Sequence, residues 1–85
     1  MCNNTIMDAF RIKTIGVRKD LIEEYRIKNN LTVEEFCRKC NILSASYKKM
    51  FKKWDNFYII NVYKIAEVMN VPTSDLFEFE IIENY

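Results

Sequence analysis

Thr32, followed three residues later by Glu35, is a capping box, in which each side chain satisfies a free backbone N–H at the start of a helix. Beyond it Phe36, Cys37 and Cys40 recur at helical spacing on one face, with Glu34, Glu35, Arg38 and Lys39 outside. Asn41 comes next. After glycine, asparagine is the residue that best tolerates the left-handed backbone that ends a helix. Only Ile42 and Leu43 intervene before Ser44, too few for a strand. Ser44 is placed to cap a second helix that packs through Tyr47 and through Met50 or Phe51. That packing turns Lys48, Lys49, Lys52 and Lys53 outward. The stretch from Asn30 to Lys53 therefore predicts a helix-turn-helix.

The flanking segments supply what such a unit needs to pack against. Arg18 to Asn29 reads as a first helix with Leu21, Ile22 and Tyr25 inward and Asp20, Glu23 and Glu24 near its start, where the helix dipole favours acids. Trp54 to Tyr58 reads as a loop. Ile59 to Asn70 reads as a fourth helix with Ile59, Val62, Ile65, Ala66 and Met69 in the core. Val71-Pro72 breaks it, and Thr73 or Ser74 caps a final helical turn carrying Leu76 and Phe77. The expected fold class is all-α, five helices. The chain divides into an N-terminal arm or short strand (1–17), the helix-turn-helix domain (18–77) and a C-terminal tail or strand (78–85).

The two ends carry a weaker, period-two signal. Phe10, Ile12 and Thr14 alternate with Arg11 and Lys13 up to Gly16, where the pattern is expected to end, while Met1 to Thr5 reads as frayed. Phe77 to Ile81 alternates with Glu78 and Glu80. Two readings stand: a disordered arm with a helical tail, or an antiparallel ribbon. In the ribbon, opposite charges face one another, Phe10, Ile12, Phe79 and Ile81 form an apolar face, and that face holds two subunits together.

Composition narrows the function classes. Eighty-five residues make one small domain, and a single glycine and a single proline beside twelve aromatic residues suit packed helices. No apolar run approaches a membrane span and no signal-peptide pattern is present, so the cytoplasm is the expected location and no membrane partner is expected. There is no histidine, no glycine-rich phosphate loop and no recognisable acid–base pair, so the chain is not expected to be an enzyme and no cofactor is expected. The net charge of +1 is divided: residues 10–53 hold twelve basic and five acidic side chains, residues 54–85 one basic and six acidic. Such a basic pole holds a local positive field toward phosphates, although charge runs are often only solvated faces. Cys37 and Cys40 have the spacing of a redox or zinc motif, yet they sit mid-helix. Cys2 is the third and last thiol, so neither a relaxed disulfide nor a four-ligand site follows. Both are expected in the core, reduced, with Cys37 where the two helices cross.

Asn30 to Phe77 resembles, without a gap, the lambda-repressor-like or Xre-type DNA-binding domain. The residues that carry the likeness are Leu31-Thr32, Glu34-Glu35-Phe36, Cys40-Asn41-Ile42, Tyr47, Met50, Asn56-Phe57, Tyr63 through Val71, and Ser74-Asp75-Leu76-Phe77. With the preceding helix the likeness covers about three quarters of the chain. It implies a small regulator of transcription that binds double-stranded DNA as a homodimer, with residues 44–53 as the recognition helix in the major groove. Ser44, Ala45, Lys48 and Lys49 would then face base edges, and Thr32, Lys52, Lys53 and Asn56 phosphates.

The sequence departs from the family pattern at several positions. Val33 stands for the usual Gln, Leu43 for a small hydroxyl residue, Phe51 for Glu, Lys53 for Gly and Tyr58 for a basic residue. Arg26 thereby loses the acid it usually pairs with and needs another partner. A second function reading uses the same fold as a protein-binding module, such as an antitoxin or an antagonist of a regulator. Trp54, Phe57 and Tyr58 are the candidate surface aromatics for it.

Overall fold

The computed structural model describes the backbone of residues 10–83 and the side chains of residues 13–80. The expectations for Met1 to Thr5 and for Cys2 lie outside them. Strand β1 (Phe10–Val17) leads into α1 (Lys19–Lys28), α2 (Val33–Cys40), α3 (Ser44–Lys52), a 3-10 turn (Asn56–Tyr58), α4 (Ile59–Met69), a second 3-10 turn (Thr73–Leu76) and strand β2 (Phe77–Glu83). Among the described residues there are thus four α-helices, not five. The expected fifth spans only Thr73–Leu76 behind Pro72, and from Phe77 onward the backbone is taken up by strand pairing. A four-residue turn closed by proline on one side and a ladder on the other has no room to become α-helix.

Helices α1, α2 and α4 each end where an asparagine permits it. Asn30, Asn41 and Asn70 hold φ of 55°, 60° and 59°, and they are the described non-glycine residues with positive φ. The left-handed turn at Asn41 lets the Asn41 and Ile42 N–H groups bond back to Arg38 and Cys37 carbonyls at 3.1 and 2.9 Å. Lys64 on α4 donates to the Asn41 carbonyl at 3.2 Å, placing a cation at the negative end of α2 and fixing the turn against the bundle. At the other end of α2 the capping box is complete. The Glu35 N–H donates to Thr32 Oγ1 at 3.1 Å and the Thr32 N–H to Glu35 Oε1 at 2.8 Å.

The core is a cluster drawn from every helix: Ile22, Phe36, Cys37, Cys40, Tyr47, Met50, Val62, Ile65, Ala66 and Leu76, with Val17 and Tyr58 at its margin. Met50 rather than Phe51 is the buried partner of Tyr47 on α3. Two expectations fail here. Ile59 is 45% exposed, because it starts α4 from a tight 3-10 turn and so lies outside the inner stripe. Tyr58 is buried, its ring tilted against Trp54 at 6.1 Å, and leaves only Phe57 of the three aromatics well exposed, at 68%. Among the described residues no helix is long and apolar enough to cross a membrane.

Cys37 and Cys40 are both buried and unbonded to each other, and burial holds both thiols above their ordinary pKa, Cys40 at about 11. Cys37 borders the junction of α2 with the start of α3. Cys37→Leu is therefore expected to overpack that junction and cost about 1–3 kcal/mol, and Cys37→Ala less. Urea unfolding of the two variants checks this; a leucine variant as stable as the parent would contradict it.

The ends do form an antiparallel ribbon, β1 against β2. Lys13 lies opposite Glu80 as expected, whereas Arg11 lies opposite Ile82 and Glu78 opposite Gly16. The strand does not stop at Gly16. A bulge between Thr14 and Gly16 carries it on to Val17, which pairs with Phe77.

Candidate nucleic-acid interface

Aromatic side chains set how the two helices of the motif sit on α1. Tyr25, Phe36, Tyr47 and Phe51 contact in series, with ring centroids 6.0, 5.8 and 4.8 Å apart, the last two pairs edge-to-face. The polar end of this row is a small network. Arg26 donates to both oxygens of Glu23, at 2.7 and 3.1 Å, and to the Leu31 carbonyl at 2.6 Å. The Tyr47 hydroxyl donates to Glu23 at 2.5 Å. Arg26, deprived of an acid at position 51, thus finds its carboxylate one turn back on its own helix. Tyr47 joins it and so ties α3 to α1. The Arg26 guanidinium holds the Glu23 carboxyl below its ordinary range, with Tyr47 adding to the effect. Burial pushes the Tyr47 phenol far up.

With Tyr47 and Met50 fixed inward, helical geometry decides what faces out. At about 100° per residue, Ser44, Ala45, Lys48, Lys49 and Lys52 fall in one stripe opposite the buried pair. Ala45, Lys48, Lys49 and Lys52 are exposed, and Ser44 is half-buried. No acidic residue lies on α3. Ser44 is the first helical residue rather than the cap. Leu43 takes the cap position with no side-chain bond, and its own side chain is 74% exposed at the leading end of the helix. Lys53 has left the helix, with φ −146° and ψ 106°, and extends past the end of the stripe.

Thr32 and Asn56 sit on other helix starts. Thr32 is exposed, with its oxygen accepting the capping bond and its hydroxyl beside the Glu35 carboxylate, which the Thr32 backbone N–H and hydroxyl help to hold below the ordinary carboxylate range. Asn56 is exposed at the first 3-10 turn, where Asp55 already accepts the Phe57 N–H at 3.1 Å. That backbone N–H is therefore taken up by a carboxylate rather than open to a phosphate.

The structure adds two cations that sequence reasoning passed over. Lys19, in the first turn of α1, lines a concavity of about 280 Å³ together with Lys48, Lys52, Phe51 and Tyr47, its ammonium 5.7 Å from the Phe51 ring centroid. Arg38 shares a groove with Leu43 and Ser44 on the other side of the α3 start. Neither position carries a sequence signal, since both look like ordinary helix-surface charges until the helices are assembled. Comparison of the chain with models of known protein families, with curated proteins and with solved structures finds no match.

Proposed function

We propose that this chain is a small cytoplasmic regulator of transcription that binds double-stranded DNA as a homodimer, α3 entering the major groove. The observation that carries the reading is the outward stripe of α3. It holds Ser44, Ala45, Lys48, Lys49 and Lys52 with no acid among them, on a two-helix unit whose turn is pinned by Asn41 and Lys64. A helix fits the major groove, where a serine hydroxyl bonds several base edges, a small apolar side chain meets a thymine methyl, and lysine donates to guanine. Lys52, Lys53 and Thr32 contribute phosphate contacts in this reading, Asn56 through its side chain alone, with Lys19 and Arg38 widening the positive field.

Gel-shift titration against random and then selected duplexes, repeated over a range of salt, tests the proposal. Affinity should fall steeply with salt, about 0.9 counterion being released for each phosphate neutralised. No retardation at low salt would overturn it. The second reading, a protein-binding module, is favoured by Phe57 in the first 3-10 turn and Ile60 and Tyr63 on α4, large apolar side chains exposed at three-residue spacing. It gains if duplex DNA is ignored while lysine-to-alanine changes on α3 leave function intact.

A further inference from the structure

Where α3 crosses α1, the surface folds into a hollow of about 280 Å³. Three lysines line it from two helices: Lys19 in the first turn of α1, and Lys48 and Lys52 one turn apart on α3. The walls between them are apolar, Val33 at the start of α2 and Phe51 on α3. Glu23 is the acid of the lining, and its charge is already matched. Both of its oxygens accept from Arg26, and the Tyr47 hydroxyl donates to it as well. Among the described residues none of the three lysines forms an ion pair. The hollow therefore carries three positive charges that no carboxylate lining it balances. The Lys19 ammonium lies 5.7 Å from the Phe51 ring centroid, an attraction that holds it over α3 rather than in open water. Lys48 and Lys52 also belong to the outward stripe of α3, so the hollow borders the face proposed to meet DNA.

We infer that this hollow is a binding site for a sugar phosphate, the phosphate among the three ammonium groups and the sugar against Phe51 and Val33. Lysine binds phosphate as a point charge on a flexible stem, so several can converge on one group. Planar, two-point recognition of a carboxylate calls instead for arginine, and the one arginine behind the wall is engaged by Glu23. A hollow this small is no wider than the roughly 8 Å over which physiological salt screens charge. The lysines therefore act on one anion together, and an anion there relieves their mutual repulsion. The apolar walls favour a phosphate that carries a body over a bare inorganic ion, which would leave Phe51 and Val33 in water. Two sources present this chemistry: the backbone of a duplex lying along α3, and a free sugar phosphate. The duplex source rests on the proposed function; the site itself does not.

Titration of the full chain with deoxyribose phosphate, followed by amide and aromatic nuclear magnetic resonance shifts, tests the site. Saturable shifts confined to Lys19, Val33, Tyr47 and Phe51 are expected, with a dissociation constant of roughly 1–10 mM. Lys19→Ala should weaken that binding about threefold. Lys28→Ala, which removes the same charge at the far end of α1, should leave it unchanged. Both lysines are exposed and alanine is the better helix former, so the fold should survive both changes. Duplex titrations then identify the source. If it is the backbone, Lys19→Ala lowers the salt slope by about 1 on every sequence alike. If it is a free ester, duplex binding is untouched while the sugar phosphate still needs Lys19. An equal response to succinate, equal losses in Lys19→Ala and Lys28→Ala, or no effect of Lys19→Ala on either ligand would each overturn the assignment. Duplex binding that persists in that last case leaves the DNA reading intact. A chain that takes the sugar phosphate through Lys19 yet ignores DNA would sink the DNA reading and leave this one standing.

Discussion

Glu23→Ala is expected to cost about 3 kcal/mol and to lower the melting temperature by at least about 12 °C. The change strands two groups at once. Arg26, with only 17% of its side chain exposed, loses a bidentate partner, and the Tyr47 hydroxyl loses its acceptor. It also removes the polar tie between α1 and α3, so the lysine face should lose its fixed orientation along with the stability. The network has a pH signature of defined sign. Because Arg26 first, and Tyr47 after it, hold the folded-state carboxyl below 4.5, its contribution is fully present above that value. It is lost as pH falls through the lowered folded-state value. Glu23→Gln should therefore differ most from the parent near neutral pH and converge on it in acid. Thermal melts of both proteins from about pH 7 to about pH 2 measure the gap. A gap of constant size would contradict the assignment.

Replacing Lys48, Lys49, Lys52 and Lys53 together by alanine is expected to reduce DNA affinity by about a thousandfold, roughly 1 kcal/mol for each contact. Alanine is a better helix former than lysine and all four side chains are exposed, so folding should not suffer. The single changes should divide by role. Lys52→Ala and Lys53→Ala should weaken every sequence alike and each lower the salt slope by about 1, whereas Lys49→Ala should relax preference at one base pair. Competition titrations on selected and random duplexes separate the two behaviours. Undiminished binding by the fourfold variant would remove α3 from the interface.

The sequence by itself determined everything that depends on neighbours a few residues apart. The Thr32–Glu35 capping box, the left-handed stop at Asn41 and the inward spacing of Phe36, Cys37, Cys40 and Tyr47 are local, and each occurs as expected, with Met50 taking the inward place that was open to Met50 or Phe51. So is the outward set of lysines, which follows once Tyr47 and Met50 are inside. The ends were legible only as two alternatives, because five or six alternating residues do not commit a strand until a partner strand supplies its hydrogen bonds. Tertiary structure decided the rest, wherever the deciding partner was distant in sequence or hidden by backbone geometry. Glu23 became the shared acid of Arg26 and Tyr47 because α3 crosses α1 at that turn, bringing residues 24 apart into one bond. Tyr58 went inside and Ile59 outside because a 3-10 turn rotates the start of α4 by an amount that helical periodicity does not carry. Lys19 and Arg38 gained a place beside α3 only when the helices met. The would-be fifth helix stayed a single turn because β1, sixty residues earlier in the chain, claims the backbone from Phe77 onward.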